Sequence, residues 1–179
     1  MQLSINILLG LVAAASAVDL RFYRASTCSG DDYMSCSNFQ PNYCCQQSTI
    51  PPRVRLTFEP IPSEWRLVTK GYTGGRCTNQ ASLIRSNGAT KVCMANGGGF
   101  TGGGYAFVGG PGGKWDDLSI AGEGAAQSEC LRPDTLVEAG VEYSTKDLPQ
   151  AEYEALVEQF YNGTSASELA TSFSALRLK

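Results

Sequence analysis

The chain contains no histidine. That absence removes Ser-His and Cys-His nucleophilic pairs, the commonest general base near neutral pH, and most catalytic zinc sites. Its seven cysteines include no Cys-x-x-Cys pair, so zinc-ligand spacing is missing too. Past residue 17 no apolar run is long enough to span a bilayer. Cationic side chains are outnumbered, 14 Lys and Arg against 17 Asp and Glu, which argues against nucleic acid as a partner. Acid–base chemistry is left with carboxylate pairs, Glu59 with Glu64 or Asp116 with Asp117. The first pair flanks a proline turn, and adjacent aspartates rarely face one ligand. The chain is therefore expected not to be an enzyme, and a carboxylate-based hydrolase ranks last among its functions. No cofactor or metal is expected. Gly97-x-Gly99-x-x-Gly102 matches a dinucleotide fingerprint in spelling only, because more glycine follows where a helix should begin. With ten glycines in 17 residues, Gly97 to Gly113 reads as a mobile hairpin or loop around Tyr105-Ala106-Phe107-Val108.

What is present begins with a leader. Residues 1–17 are apolar and end in Ala15-Ser16-Ala17, the pattern of a signal peptide cleaved before Val18. Export implies a secreted, extracellular protein and an oxidising compartment for Cys28, Cys36, Cys44, Cys45, Cys77, Cys93 and Cys130. Three disulfides are expected, each contributing roughly 2–4 kcal/mol by restricting the unfolded chain. Cys44 and Cys45 should take different partners, since neighbours in an extended chain point to opposite faces. The connectivity stays open. The odd cysteine could tie the back half to the front or link two copies, although a monomer is the expected state.

The charge is unevenly spread. Residues 18–114 carry ten Lys/Arg and five Asp/Glu, a net of +5, whereas residues 115–179 carry four and twelve, a net of −8. This divides the mature chain into a disulfide-stapled domain, 18–114, and an acidic, partly helical tail, 115–179. A basic patch of Arg53, Arg55, Arg66 and Arg76 on the first suits an anionic cell-surface polymer or an extracellular protein. In the tail, Tyr153, Leu156, Val157 and Phe160 recur at helical spacing. That apolar face is expected to dock the tail on the domain. Asn162-Gly163 stops the helix, and Ser165-x-x-Glu168 opens a second short one. Asn162-Gly163-Thr164 is also an N-glycosylation sequon.

Within the front region Leu20–Tyr23, Asp31–Cys36, Arg53–Phe58 and Trp65–Thr69 read as strands, with turns at Cys28-Ser29-Gly30, Gly71 to Gly75 and Ser86-Asn87-Gly88. Phe22-Tyr23 followed by Gly30, and Trp65 followed by Tyr72-Thr73-Gly74, place an aromatic on a first strand and a glycine about seven to nine residues on. This pattern resembles the βγ-crystallin superfamily over roughly residues 18–96. The resemblance implies a mainly β fold: two Greek-key motifs forming a β-sandwich, followed by a C-terminal segment with one or two short helices. Phe22, Leu56, Trp65, Val68, Tyr72 and Val92 are the expected core. Cys28 stands where the family has an aromatic, and the carboxylates of its calcium loops are missing near 47–50 and 86–91, so calcium is not expected. The leader and cysteine-rich front also resemble small secreted fungal proteins of the effector and killer-toxin kind. Together these readings describe a secreted, non-catalytic binding protein. A structural or stress-protective protein with no dedicated partner is the alternative.

Overall fold

The computed structural model describes residues 17–47, 54–95, 99–108, 130–165, 167, 168, 173 and 176. The leader apart from Ala17, Arg53, and Asp116 with Asp117 lie outside these residues, as does most of the expected second helix. Two sheets form a sandwich. Strands β1 (Val18–Tyr23), β2 (Tyr33–Phe39), β3 (Cys44–Gln46) and β4 (Arg55–Glu59) make one Greek key. Strands β5 (Leu67–Thr73), β6 (Asn79–Arg85), β7 (Val92–Met94) and β8 (Gly102–Phe107) make the second. The third strand of each motif crosses to the other's sheet, giving the neighbour orders β2-β1-β4-β7 and β6-β5-β8-β3.

Register decides what faces inward. Leu20 lies between Cys36 and Phe58, and Phe22 between Met34 and Leu56. With a side-chain period of two, these residues share the inner face. Leu20, Phe22, Leu56, Phe58, Met94 and Tyr105 are buried in one core, with Trp65 packed half-buried at its edge. Tyr72 is fully buried in a separate cluster with Cys44 and Cys77.

The glycine-rich stretch, expected as a mobile hairpin or loop, supplies a central strand over residues 102–107. β8 lies between β5 and β3, and residues 102–106 are buried. Glycine is needed there because neighbours come too close for a side chain. A Cβ on Gly103 would stand 2.6 Å from Leu56 Cδ2 and 2.8 Å from Leu20 Cδ1. On Gly102, facing the other way, it would meet Cys77 Sγ at 2.9 Å and the Cys45 carbonyl at 3.2 Å. Opposite Gly103 in the register is Gly71, whose Cβ would strike Met94 and Phe100 at 2.8 Å.

The disulfides follow the internal repeat. The β1–β2 connection, residues 24–32, folds over the outer face of the first sheet, where Cys28 bonds Cys93 on β7. The β5–β6 connection, residues 74–78, folds over the outer face of the second, where Cys77 bonds Cys44 on β3. Each folded hairpin is thus tied to the strand that the other motif contributes to that sheet. The third disulfide, Cys36–Cys45, joins the two sheets through the core. Cys44 and Cys45 do take different partners, one outward and one inward, as their alternation requires. Cys130 lies outside the three bonds and packs against the Cys44–Cys77 cluster.

The acidic segment expected as an appended tail lengthens both sheets. β9 (Cys130–Leu131) runs parallel to β3. β10 (Thr135–Glu138) pairs antiparallel with β2, and β11 (Val141–Ser144) closes a hairpin with it around Ala139-Gly140, both at positive φ. Helix α1 (Gln150–Tyr161) buries the expected face, Tyr153, Leu156, Val157 and Phe160, against Met34, Leu136 and Tyr143. The helix has no basic residue in its last turn. Arg24, from the end of β1, supplies that cation. Its guanidinium donates to the Phe160 carbonyl at 2.8 Å, stacks over the Phe160 ring at 4.9 Å, and pairs with Asp32 at 2.7 Å and Glu138 at 3.1 Å. Among the described residues, Arg24 thus ties the basic front half to the acidic back half through a partly buried latch. Beyond α1, the expected capping box forms: Ser165 N donates to Glu168 Oε2 at 3.1 Å and Glu168 N to Ser165 Oγ at 3.4 Å. The Ser165 hydroxyl, donating to Glu168 Oε2 at 2.7 Å, and the Ser165 backbone N–H hold the Glu168 carboxyl below its ordinary value.

Candidate functional site

The three described arginines of the proposed patch, Arg55, Arg66 and Arg76, lie on different elements, and Arg53 lies outside the described residues. Arg55 faces outward on β4, and its Nε donates to the Ser26 carbonyl of the folded hairpin at 3.1 Å. Arg76 is exposed in the other folded hairpin, at φ 53°, over the opposite sheet. Arg66 is exposed just before β5, its guanidinium donating to the carbonyls of Ser63 at 2.8 Å and Trp65 at 3.2 Å. Two arginines that the sequence reading only counts in the net charge have more defined roles: Arg24 in the latch, and Arg21 in a network on the outer face of the first sheet. There Glu59 accepts from Arg21 at 3.2 Å and Tyr23 at 2.8 Å and pairs with Lys91 at 2.9 Å, while Arg21 also reaches Asp19 and lies 4.8 Å from the Tyr33 ring centre. Burial, opposed by the Arg21 hydrogen bond, pushes the Tyr23 hydroxyl up to about 12. The network is charge-balanced, and it neutralises one carboxylate of the Glu59/Glu64 pair. Glu64 is exposed in the following turn.

One end of the second sheet presents a different surface. The Pro62 carbonyl accepts from Trp65 N at 2.9 Å, closing a turn, and Val108 N donates to the Arg66 carbonyl at 2.8 Å, fixing the end of β8 beside it. This juxtaposition stacks Trp65 edge-on against Phe107, ring centres 4.8 Å apart. Phe107 is 36% exposed, and Arg66 lies next to Trp65 in the chain. Behind Phe107 follow Tyr105 at 6.3 Å and then Phe39 at 5.9 Å, so a ladder of rings runs from the core to the surface. The Tyr105 hydroxyl donates to the Phe39 carbonyl at 2.8 Å, and burial raises it to about 12. An aromatic rim set on a rigid ladder offers apolar contact, and the turn that carries Trp65 also carries an exposed guanidinium fixed by the Ser63 and Trp65 carbonyls. The sequence names Trp65 and Tyr105-Ala106-Phe107 separately. What joins them is the β5–β8 pairing, Leu67 opposite Phe107, which local pattern does not reveal.

Open grooves among the described residues lie elsewhere, and two are lined as follows. In the larger, about 600 Å³, Asp19 is the one titratable side chain among the described lining residues, and it is paired with Arg21. The smaller, about 380 Å³, lies between the end of β2 and residues 130–134, with Arg132, Asp134 and Lys146 at its walls. Among the described residues no three of Cys, Asp and Glu gather as a metal would need. Nor is any helix there long and apolar enough to cross a membrane.

The architecture defines a class: a disulfide-stapled Greek-key sandwich with an integrated C-terminal helix. A family model described as ARB_05566_N, an N-terminal domain, matches residues 19–134, and the chain belongs to that family. The match spans both Greek keys and stops just before β10. No curated protein and no solved structure gives a match.

Proposed function

We propose that this is a secreted, non-catalytic binding protein of βγ-crystallin-like design that attaches to an anionic polymer of an extracellular surface. The observation carrying the reading is the Trp65–Phe107 rim with the Arg66 cation fixed in the same turn. Aromatic faces suit the C–H-bearing faces of sugar rings, and a guanidinium pairs in two-pronged fashion with carboxylate or sulfate. The leader and three disulfides support export, because such bonds persist in oxidising compartments. The exchange of third strands between the sheets, with a folded hairpin in each motif, supports the crystallin-like ancestry. The effector- or toxin-like role belongs to the same proposal, since attachment to a foreign or neighbouring surface is the first step of either.

Affinity co-sedimentation of the mature chain with acidic and neutral polysaccharides tests it. Binding to the acidic polymer should weaken as salt is raised. It should fall at least tenfold in Trp65→Ala, Phe107→Ala and Arg66→Gln, but not in Arg76→Gln. Undiminished binding in all three rim variants refutes this site. A second reading rests on the staples and buried cores: stability itself could be the function, in a structural or stress-protective protein. Retention on no surface polymer, with folding intact, decides for it.

A further inference from the structure

We propose that Asn162 carries an N-linked glycan. The proposal rests on the export reading above, because the donor, a lipid-pyrophosphate-linked oligosaccharide, is met only on the secretory route. The structure removes the structural reasons for an asparagine here. Asn at a helix end usually serves a left-handed C-terminal position. Asn162 instead has ordinary right-handed geometry, φ −76° and ψ −1°, and Gly163 takes the left-handed one at φ 79°. The backbone closes the helix without either sequon side chain: Asn162 N donates to Glu158 O at 2.9 Å, Gly163 N to Phe160 O at 3.2 Å and Thr164 N to Gln159 O at 3.1 Å. Among the described residues no hydrogen bond reaches the Asn162 amide or the Thr164 hydroxyl. Asn162 and Gly163 are exposed and Thr164 half-exposed.

Side chains that the fold leaves idle, in the spelling a transferase reads, are free for modification. The reaction joins Asn162 Nδ2 to C1 of the first sugar. The lipid pyrophosphate leaves with the bonding pair of the broken C–O bond, and the amide proton passes to solvent. The folded protein accommodates the product, since Asn162 is exposed at the α1 terminus while Phe160, two residues earlier, carries the buried face.

The test expresses two versions of the full chain in a eukaryotic secretory host. One keeps residues 1–17; the other replaces them with a leader of proven targeting. In the second version, a glycosidase-sensitive mobility shift is expected, with Asn162 converted to Asp by the amidase and both signs lost in Asn162→Gln and Thr164→Ala. Unmodified Asn162 in that version overturns the glycan. Failure of only the first version to reach the medium overturns the export reading and leaves the site result standing.

Discussion

Replacing Gly102 by alanine gives a decisive test of how the sandwich is packed. Two effects oppose. Alanine restricts the unfolded chain and fits a strand better, which favours the folded state by roughly 0.5–1 kcal/mol. Against this, the new methyl would sit 2.9 Å from Cys77 Sγ, 3.2 Å from the Cys45 carbonyl and 3.4 Å from Cys77 N. None of these can rotate away: one is a disulfide sulfur and two are backbone atoms flanked by disulfides. Overpacking at a site of this kind costs typically ~1–3 kcal/mol, and the upper half of that range applies where the neighbours are fixed. The net expectation is a destabilisation of about 1–2 kcal/mol, equivalent to roughly 3–8 °C in melting temperature for a chain of this size. Gly103→Ala should cost less. Its contacts at 2.6 and 2.8 Å are the ends of the Leu56 and Leu20 side chains, which are buried but can change rotamer. Gly140→Asn is the control: φ is 75°, nothing lies within 4 Å, and asparagine accepts that conformation. Urea unfolding with disulfides intact should rank the variants Gly102→Ala, Gly103→Ala, then Gly140→Asn near wild type. A Gly102→Ala variant as stable as wild type would show that β8 does not pass beneath the Cys44–Cys77 bond.

Three further outcomes follow from the same geometry. Under limiting dithiol, Cys28 and Cys93 should be the first thiols to appear in mass mapping, because Cys93 is exposed whereas Cys36, Cys44, Cys45 and Cys77 are at most 3% exposed; earlier release of any buried pair contradicts this. Arg24→Met should cost about 1–3 kcal/mol, since it strands the buried Glu138 carboxylate and the Phe160 carbonyl, with a discount for the partial exposure of Arg24. Glu138→Gln on that background should recover part of the loss in the same urea assay, and a purely additive loss would deny the latch. Burial, partly offset by Arg24, raises the Glu138 carboxyl above 4.5. Raised in the folded state, this group binds its proton more readily there than in the unfolded chain, so its contribution to stability improves as pH falls through the folded value toward 4.5. Wild type minus Glu138→Gln stability, plotted against pH, should rise over that window on acidification; a flat or falling difference refutes the assignment.

How far the sequence reveals this molecule depends on whether the information is local. The alternation of Arg55-Leu56-Thr57-Phe58 announces β4, and the adjacent cysteines require opposed partners, because both are properties of an extended backbone that no distant contact can alter. The helical spacing of Tyr153, Leu156, Val157 and Phe160 is of the same kind. β8 is hidden for the opposite reason. A strand of glycines has no side chains to show a period, and its need for glycine comes from Cys77, Leu20 and Leu56, residues tens of positions away. β9 and β10 are too short to register as a pattern. What makes them strands is the open edges of β2 and β3, not their own composition.

The arginines show how charge counting misleads at the site level. A net charge of one sign suggests a shared surface, yet Arg55 and Arg66 turn their guanidinium groups to nearby carbonyls, and Arg24 and Arg21 to carboxylates. Such local bonds are shorter-ranged and stronger than the diffuse field, which salt screens within roughly 8 Å, so they fix where each cation sits. The cation best placed to meet a partner is therefore the one whose local bonds hold it at the surface beside other contact groups. Arg66 meets that condition because the carbonyls of Ser63 and Trp65 carry no formal charge to neutralise it, and the same turn carries Trp65, which packs on Phe107. Arg21 and Arg24 do not, since their charge is already matched by carboxylates within the fold.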